Sequence, residues 1–181
     1  MLVEGKRYRD LPSFFKTLFG ERVQKLSIDG GFTCPNRDGN KGWGGCTYCN
    51  NASFNPDYCR EVEGITRQLE EGIRFFDAKY QGQKYLAYFQ AYSNTYAPLE
   101  VLKSRYEEAL AHPKVVGLVI ATRPDAVNEE ILDYIAGLSK HCYVCMEYGV
   151  ESVNERVLET IHRRHSYRAV SYTHLTLPTI A

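Results

Sequence analysis

Cys34, Cys46 and Cys49 fall within sixteen positions, spaced C-x11-C-x2-C, in the stretch Thr33-Cys34-Pro35-Asn36-Arg37-Asp38-Gly39-Asn40-Lys41-Gly42-Trp43-Gly44-Gly45-Cys46-Thr47-Tyr48-Cys49-Asn50. Thiols at this density, in a chain that opens without a secretory signal, point to a metal centre rather than to disulfides. Structural zinc takes four ligands, usually in two short knuckles. Iron–sulfur clusters are held by cysteine thiolates, four per cubane. Three in one loop would leave one iron with an open coordination position, which a catalytic centre needs and a structural one does not. Gly42, Gly44 and Gly45 let the backbone wrap closely around such a group. Two other readings stand beside this one: zinc with Cys59 as the fourth ligand, and free buried thiols.

Three clustered cysteines whose last two form C-x-aromatic-C, in the loop after a first strand, resemble the radical S-adenosylmethionine (SAM) superfamily. The wider spacing, with C-P-N-R-D-G and G-G-C-T-Y-C-N, is similar to its branch related to the Elongator catalytic subunit, and to bacterial radical SAM proteins of that type. The resemblance implies that Cys34, Cys46 and Cys49 hold a four-iron four-sulfur cluster, whose fourth iron binds SAM through its amino and carboxylate groups. One-electron reduction of the cluster would then cleave SAM to methionine and a 5′-deoxyadenosyl radical that abstracts hydrogen from a substrate. Kinship with the Elongator branch suggests a tRNA wobble nucleoside as that substrate, with a small metabolite as the second enzyme reading. A flavodoxin or ferredoxin would supply the electron. From a different class, the four cysteines including Cys59 would make a zinc-stabilised binding module.

The same resemblance assigns further residues to SAM. Tyr48, between the last two cysteines, would lie beside the adenine, ordinary packing being its other role. Many family members carry a Gly-Gly-Glu-like stretch after the second strand that binds the SAM amino group; here the stretch is Gln90-Ala91-Tyr92-Ser93-Asn94-Thr95. Ser93 and Asn94 are the candidates there, and a plain turn after a strand is the alternative. Thr122 and Arg123 end the third strand, where Pro124 keeps Arg123 extended. They line the site by resemblance, or Arg123 forms a surface ion pair with Asp125. Glu147 sits in an apolar strand, where a buried carboxylate needs a partner. Glu147-Tyr148-Gly149-Val150-Glu151-Ser152 is similar to the E-x-G-x-[QE]-S signature of the Elongator-like branch, which brings Glu147, Glu151 and Ser152 to SAM. Arg163 and His165 match an Arg-Gly-His-like segment in which Arg164 replaces the glycine.

The elements that must position these residues alternate. Leu11 to Phe19 reads as a short helix stopped at Gly20, following a polar arm with Lys6, Arg7 and Arg9 that could meet a nucleic-acid backbone or simply be solvated. Val23–Ile28 alternates as a strand, and Asp29-Gly30-Gly31 breaks it into the cysteine loop. Val62, Ile65, Leu69, Ile73, Phe76 and Tyr80 form one face of a helix over Glu61–Tyr80. A strand over Gln83–Tyr92 follows, then a helix opened by Pro98. Val115–Ala121 is a β-branched run typical of a doubly covered parallel strand. A helix from near Asn128, a strand over Cys142–Val150 and a capping box Ser152-Val153-Asn154-Glu155 complete four strand–helix units. The fold class is α/β with a parallel sheet. Four units could begin a doubly wound sheet or a barrel, and the resemblance selects a partial (β/α) barrel, truncated after about four units, with chemistry at the strands' carboxyl ends.

The chain has 181 residues, with Lys plus Arg and Asp plus Glu at 22 each, so net charge gives no argument for nucleic acid. Its 14 tyrosines could stack on bases but also suit half-buried strands. No apolar run nears the roughly 18 residues of a membrane span, and the opening residues lack a signal-peptide core. A cytoplasmic protein is expected, in keeping with a cluster that needs reduced thiolates. Ser171–Ala181 resembles translated sequencing-adapter read-through, so residues 1–169 are expected to be the N-terminal part of a radical SAM core and 170–181 a non-native tail. Its apolar residues alternating with threonine would otherwise read as a fifth strand.

Overall fold

The computed structural model describes residues 8, 10–50, 53, 55–59 and 64–176. The basic arm at residues 1–7 and 9, the expected helix start at 61–63 and the end of the tail at 177–181 lie outside them.

The first helix, α1 (Leu11–Phe19), begins where the Asp10 carboxylate accepts a hydrogen bond from the Ser13 amide at 2.9 Å, and ends at Gly20 in the left-handed conformation. Strand β1 (Val23–Ile28) leads into the cysteine loop, which ends in a short 3₁₀ turn at Asp57–Cys59. Then come α2 (Ile65–Asp77), β2 (Lys84–Phe89), α3 (Leu99–Leu110), β3 (Val115–Thr122), α4 (Glu129–Leu138), β4 (Tyr143–Tyr148), α5 (Glu155–Thr160) and α6 (Tyr167–Thr176). Strands β2 and β4 are shorter than the apolar runs suggest, because Gln90–Tyr92 and Gly149–Val150 have left the sheet for the site.

All four strands are parallel, in the order β1-β2-β3-β4. A doubly wound sheet reverses its order at a switch point; this one does not, so the units follow one another as in a barrel wall. Helices α2, α3 and α4 cover one face. There Leu26, Leu69, Leu102, Leu118 and Ile120 are fully buried with Tyr85, Phe89 and Tyr106, and each such apolar side chain contributes about 1.5–3 kcal/mol. The other face is hollow. At its base Phe15 of α1 packs with Val23, Leu86 and Val119, and Tyr143 stands edge-on to both Phe15 and Phe19. Higher up, Lys25 of β1 reaches across to Glu147 of β4, 2.5 Å from ammonium to carboxylate. Side chains from the two outer strands meet only because the twisted sheet curls.

The capping box is not formed. Asn154, not Ser152, caps α5, its side chain accepting from the Arg156 and Val157 amides, while the Ser152 hydroxyl oxygen accepts from the Asn154 amide. The stretch that would read as a fifth strand is helical as far as Thr176, and the buried Thr173 hydroxyl of α6 donates to the Pro124 carbonyl. No described helix is long and apolar enough to cross a membrane.

One position tests the β3–β4 register. A Cβ built on Gly117 would stand 2.1 Å from the Tyr143 carbonyl oxygen of its pairing partner. Gly117→Ala should therefore cost about 3 kcal/mol or more, lowering the melting temperature of the metal-free protein by roughly 6–12 °C. An unchanged melting curve would contradict this pairing.

Candidate functional site

From Cys34 to Asn50 the cysteine loop contains no helix or strand, so its backbone polar groups find local partners. The Cys34 carbonyl accepts from the Arg37 and Asp38 amides, the Pro35 carbonyl from Lys41 and Gly42, and the Asn36 carbonyl from Gly45. Cys46 and Cys49 share one turn, the Cys49 amide donating to the Cys46 carbonyl at 3.0 Å. Gly45 has φ of 84°, and a Cβ there would meet Arg37 Nε at 2.9 Å. Glycine thus allows the left-handed turn and the close seat of Arg37, whose Nη2 donates to the Cys49 carbonyl.

All three cysteines are free thiols on the wall of one cavity of about 340 Å³ above the carboxyl ends of the strands. The facing walls come from the ends of β2 (Tyr88, Gln90, Tyr92, Ser93), β3 (Ala121, Thr122, Arg123) and β4 (Glu147, Tyr148, Gly149, Glu151), with Arg163 beyond α5. Of the residues singled out in the sequence, Tyr48, Ser93, Thr122, Arg123, Glu147, Glu151 and Arg163 line this cavity together with Cys34, Cys46 and Cys49. Asn94 and Ser152 do not. Asn94 is fully buried behind it, its amide nitrogen donating to the Phe89 and Ala121 carbonyls and its own carbonyl accepting from Tyr106. It ties the ends of β2 and β3 together. Ser152 serves the entry to α5.

Each remaining candidate has a defined setting. Tyr48 is half exposed at the rim, so core packing does not hold it; burial of its hydroxyl side pushes the phenol's pKa up. Thr95 gives its only hydroxyl proton to the Ala126 carbonyl, so Thr122 donates in their 2.6 Å contact. Arg123 and Asp125 pair through two hydrogen bonds of 2.8 and 2.9 Å, and the pair is buried rather than on the surface. Lys41 of the cysteine loop joins the same carboxylate. Glu147 has both oxygens engaged, one by Lys25 and one by the Tyr88 hydroxyl at 2.7 Å. It therefore closes the cavity floor with its charge already balanced. Arg164 adopts φ of 59°, the left-handed region that explains why glycine suits this position; its guanidinium donates to the Lys41 carbonyl.

Several lining residues carry buried atoms that find no hydrogen-bond partner among the described residues: Arg37 Nε, Ser93 Oγ, Arg123 Nη1 and Tyr148 OH. A cluster of such orphans around one cavity is what a polar ligand would satisfy. Cys59 is elsewhere. Its thiol donates to the Ser27 carbonyl, and burial pushes its pKa up to about 12, so it stays protonated. The zinc reading loses its fourth ligand. Among the described residues no three His, Cys, Asp or Glu side chains converge on a single-ion site; tetrahedral zinc at about 2.3 Å would need sulfurs about 3.8 Å apart. A cubane spreads its thiolates over different irons, and three sulfurs on one cavity wall fit that demand.

Residues 34–174 match the family model of the Radical SAM superfamily. The chain belongs to that superfamily. It is 40% identical over 162 residues to the uncharacterized protein YtqA of Bacillus subtilis, covering 90% of this chain and 50% of that protein. Protein YhcC of Escherichia coli is 39% identical over 156 residues, covering 86% and 49%. The uncharacterized protein MJ0486 of Methanocaldococcus jannaschii is 30% identical over 166 residues, covering 90% and 50%. The chain thus spans about half the length of the curated relatives it matches.

Residues that sequence reasoning missed in this superfamily site are Arg37, Tyr88, Gln90, Tyr92 and Tyr148. Tyr88 and Gln90 were within reach, since they continue the alternation from Leu86 onto the hollow face. Tyr92 has φ of 66°, and nothing in the sequence announces that for a tyrosine.

The buried Arg123–Asp125–Lys41 group makes stability pH-dependent. Burial would raise the Asp125 pKa, but the two cations outweigh it and lower the value from 3.8 to about 2. Its contribution is complete above the unfolded value and is lost as pH falls through about 2. The stability gap between the metal-free protein and Asp125→Asn should narrow by about 2 kcal/mol from about pH 5 to about pH 2, read by urea unfolding. A constant gap would mean that Asp125 is not held as the charged partner.

Proposed function

We propose that the chain is the cluster-bearing part of a radical SAM enzyme acting on a tRNA nucleoside. The observation that carries the catalytic reading is the placement of three free thiols on one cavity wall, facing buried polar atoms without partners. Cys34, Cys46 and Cys49 would hold a four-iron four-sulfur cluster. When bound, the cluster and SAM supply one-electron cleavage of a sulfonium carbon–sulfur bond and, from it, hydrogen abstraction.

The chain's own residues bind, orient and exclude water. The Arg123 Nη1 hydrogens and the Ser93 hydroxyl are donors suited to a carboxylate, with the bidentate bond to Asp125 fixing the direction of Arg123. Glu151, a lining carboxylate 3.9 Å from Arg163 Nη2, suits a cationic centre. Thr122 braces the end of β3 through Thr95, and Tyr48 offers a half-exposed ring for stacking on a base. Glu147, neutralised by Lys25, forms the floor rather than a free ligand.

The tRNA assignment rests on the similarity of C-x11-C-x2-C and Glu147-x-Gly149-x-Glu151-Ser152 to the Elongator-like branch. A reduced flavodoxin or ferredoxin as electron source and a cytoplasmic setting belong to the same proposal. Binding of tRNA, weakening as salt rises, would support this substrate over a small metabolite.

Anaerobic reconstitution tests the core of the proposal. The protein should take up about four irons, absorb broadly near about 400 nm and change its reduced paramagnetic spectrum on adding SAM. Cys46→Ala should lose the iron, and Cys59→Ala should keep it. Zinc without iron, released by Cys59→Ala, would overturn the enzyme reading.

A further inference from the structure

Asn36 follows the first cysteine by two positions, yet its side chain is spent at the other end of the chain. It is fully buried, and its amide nitrogen lies 2.9 Å from the His162 carbonyl, 3.0 Å from the Arg163 carbonyl and 3.4 Å from Cys46 Sγ. Two amide hydrogens serve three acceptors, so one hydrogen is shared between neighbours, and the sulfur is among them. The backbone repeats the tie nearby, where the Thr47 amide donates to the Ile161 carbonyl at 3.0 Å.

Arg163 approaches the same sulfur from the turn that Asn36 holds. Its Nη1 is 3.8 Å from Cys46 Sγ, its Nη2 donates to the Gly149 carbonyl at 2.6 Å, and its Nε donates to His165 Nε2 at 3.0 Å. The last bond requires an unprotonated Nε2, so His165 is neutral and acts as an acceptor. The turn itself is strained, with His162 at φ 54° and Arg164 at φ 59° on either side of Arg163. Such conformations persist only where surrounding contacts impose them, and Asn36 supplies two of those contacts.

Cys49 has one neighbouring donor, the Arg37 guanidinium, which hydrogen-bonds its side chain, whereas the Cys46 sulfur is approached by two side-chain donors, Asn36 and Arg163. Hydrogen bonds and positive charge at a cluster's ligand sulfurs stabilise the reduced, more negative state and raise its potential. We propose that Asn36 and Arg163 form a two-donor clamp on the Cys46 sulfur, with Asn36 as a positioning residue, that raises the reduction potential of the cluster held there. The inference rests on the cluster reading of the site. It adds that the Cys46 sulfur is held by two donors at once, and that the turn at residues 161–165 controls how readily the centre accepts its electron.

Redox titration of the anaerobically reconstituted protein without SAM, followed by the paramagnetic signal of the reduced cluster, tests the clamp. Asn36→Leu keeps the approximate side-chain size and removes the donor. Its reduced-to-oxidised ratio at a fixed ambient potential should fall about tenfold, a shift of about 59 mV to lower potential for one electron. Arg163→Met keeps an unbranched stem, removes the second donor and should shift in the same direction. Thermal unfolding of the metal-free variants separates simple loss of packing, which lowers stability without moving the potential of those molecules that retain the cluster. If Asn36→Leu fails to hold a cluster, Arg163→Met alone decides. Full iron content with a potential within about twofold of the unaltered ratio in the variants that hold the cluster would overturn the clamp while leaving the cluster reading intact. No iron in the unaltered protein would overturn both.

Discussion

A loop with no helix or strand of its own around its three cysteines must hold their sulfurs on one wall, and every other feature of the site answers to that constraint. Regular elements satisfy their backbone polar groups internally; a loop must find partners case by case. Here short carbonyl–amide turns at Cys34, Pro35 and Asn36 give the loop its shape, and the Asn36 side chain anchors it to the turn beyond α5. Lys41 anchors it a second time to the buried Asp125 at the end of β3. The loop is therefore fixed to both flanks of the cavity, although it leaves the sheet at β1.

Strain collects where this anchoring is strongest. Four described residues other than glycine have left-handed backbones: Tyr92 and Glu151 line the cavity, and His162 and Arg164 flank Arg163. Each conformation costs on the order of 1 kcal/mol or more relative to ordinary φ. The cost is offset by buried contacts, such as the Arg163 guanidinium against the Gly149 carbonyl. Scaffold and site thus divide the work, the scaffold being relaxed and the rim held under tension.

That division governs how much could be read from the sequence. The scaffold's elements announced themselves through periodicity, because α2 repeats Ile65, Leu69 and Ile73 on one face and β3 is a continuous apolar run. The cysteines were legible by type and spacing. Roles that depend on direction were not. Cys59 is a thiol near three others in sequence, yet its Sγ points to the Ser27 carbonyl. Asn94 looked like a ligand and serves as a strand tie. Ser152 looked like a helix cap because Ser-x-x-Glu fits the pattern, but Asn154 stands closer to α5 and takes the position. Asn36 could not be singled out at all, since the two carbonyls that hold its side chain lie more than a hundred residues away.

The Lys25–Glu147 contact has a mechanical meaning beyond its charge balance. Strand β1 leads into the wall that bears the sulfurs, and β4 leads into the wall that bears Gly149 and Glu151. A bond across the hollow between those strands acts as a tie rod. It sets the span of the arch and, through the two strand ends, the width of the gap at its crown. The cavity's breadth is thus constrained from below, by a contact at its floor, as well as by the Asn36 and Lys41 ties at its flanks.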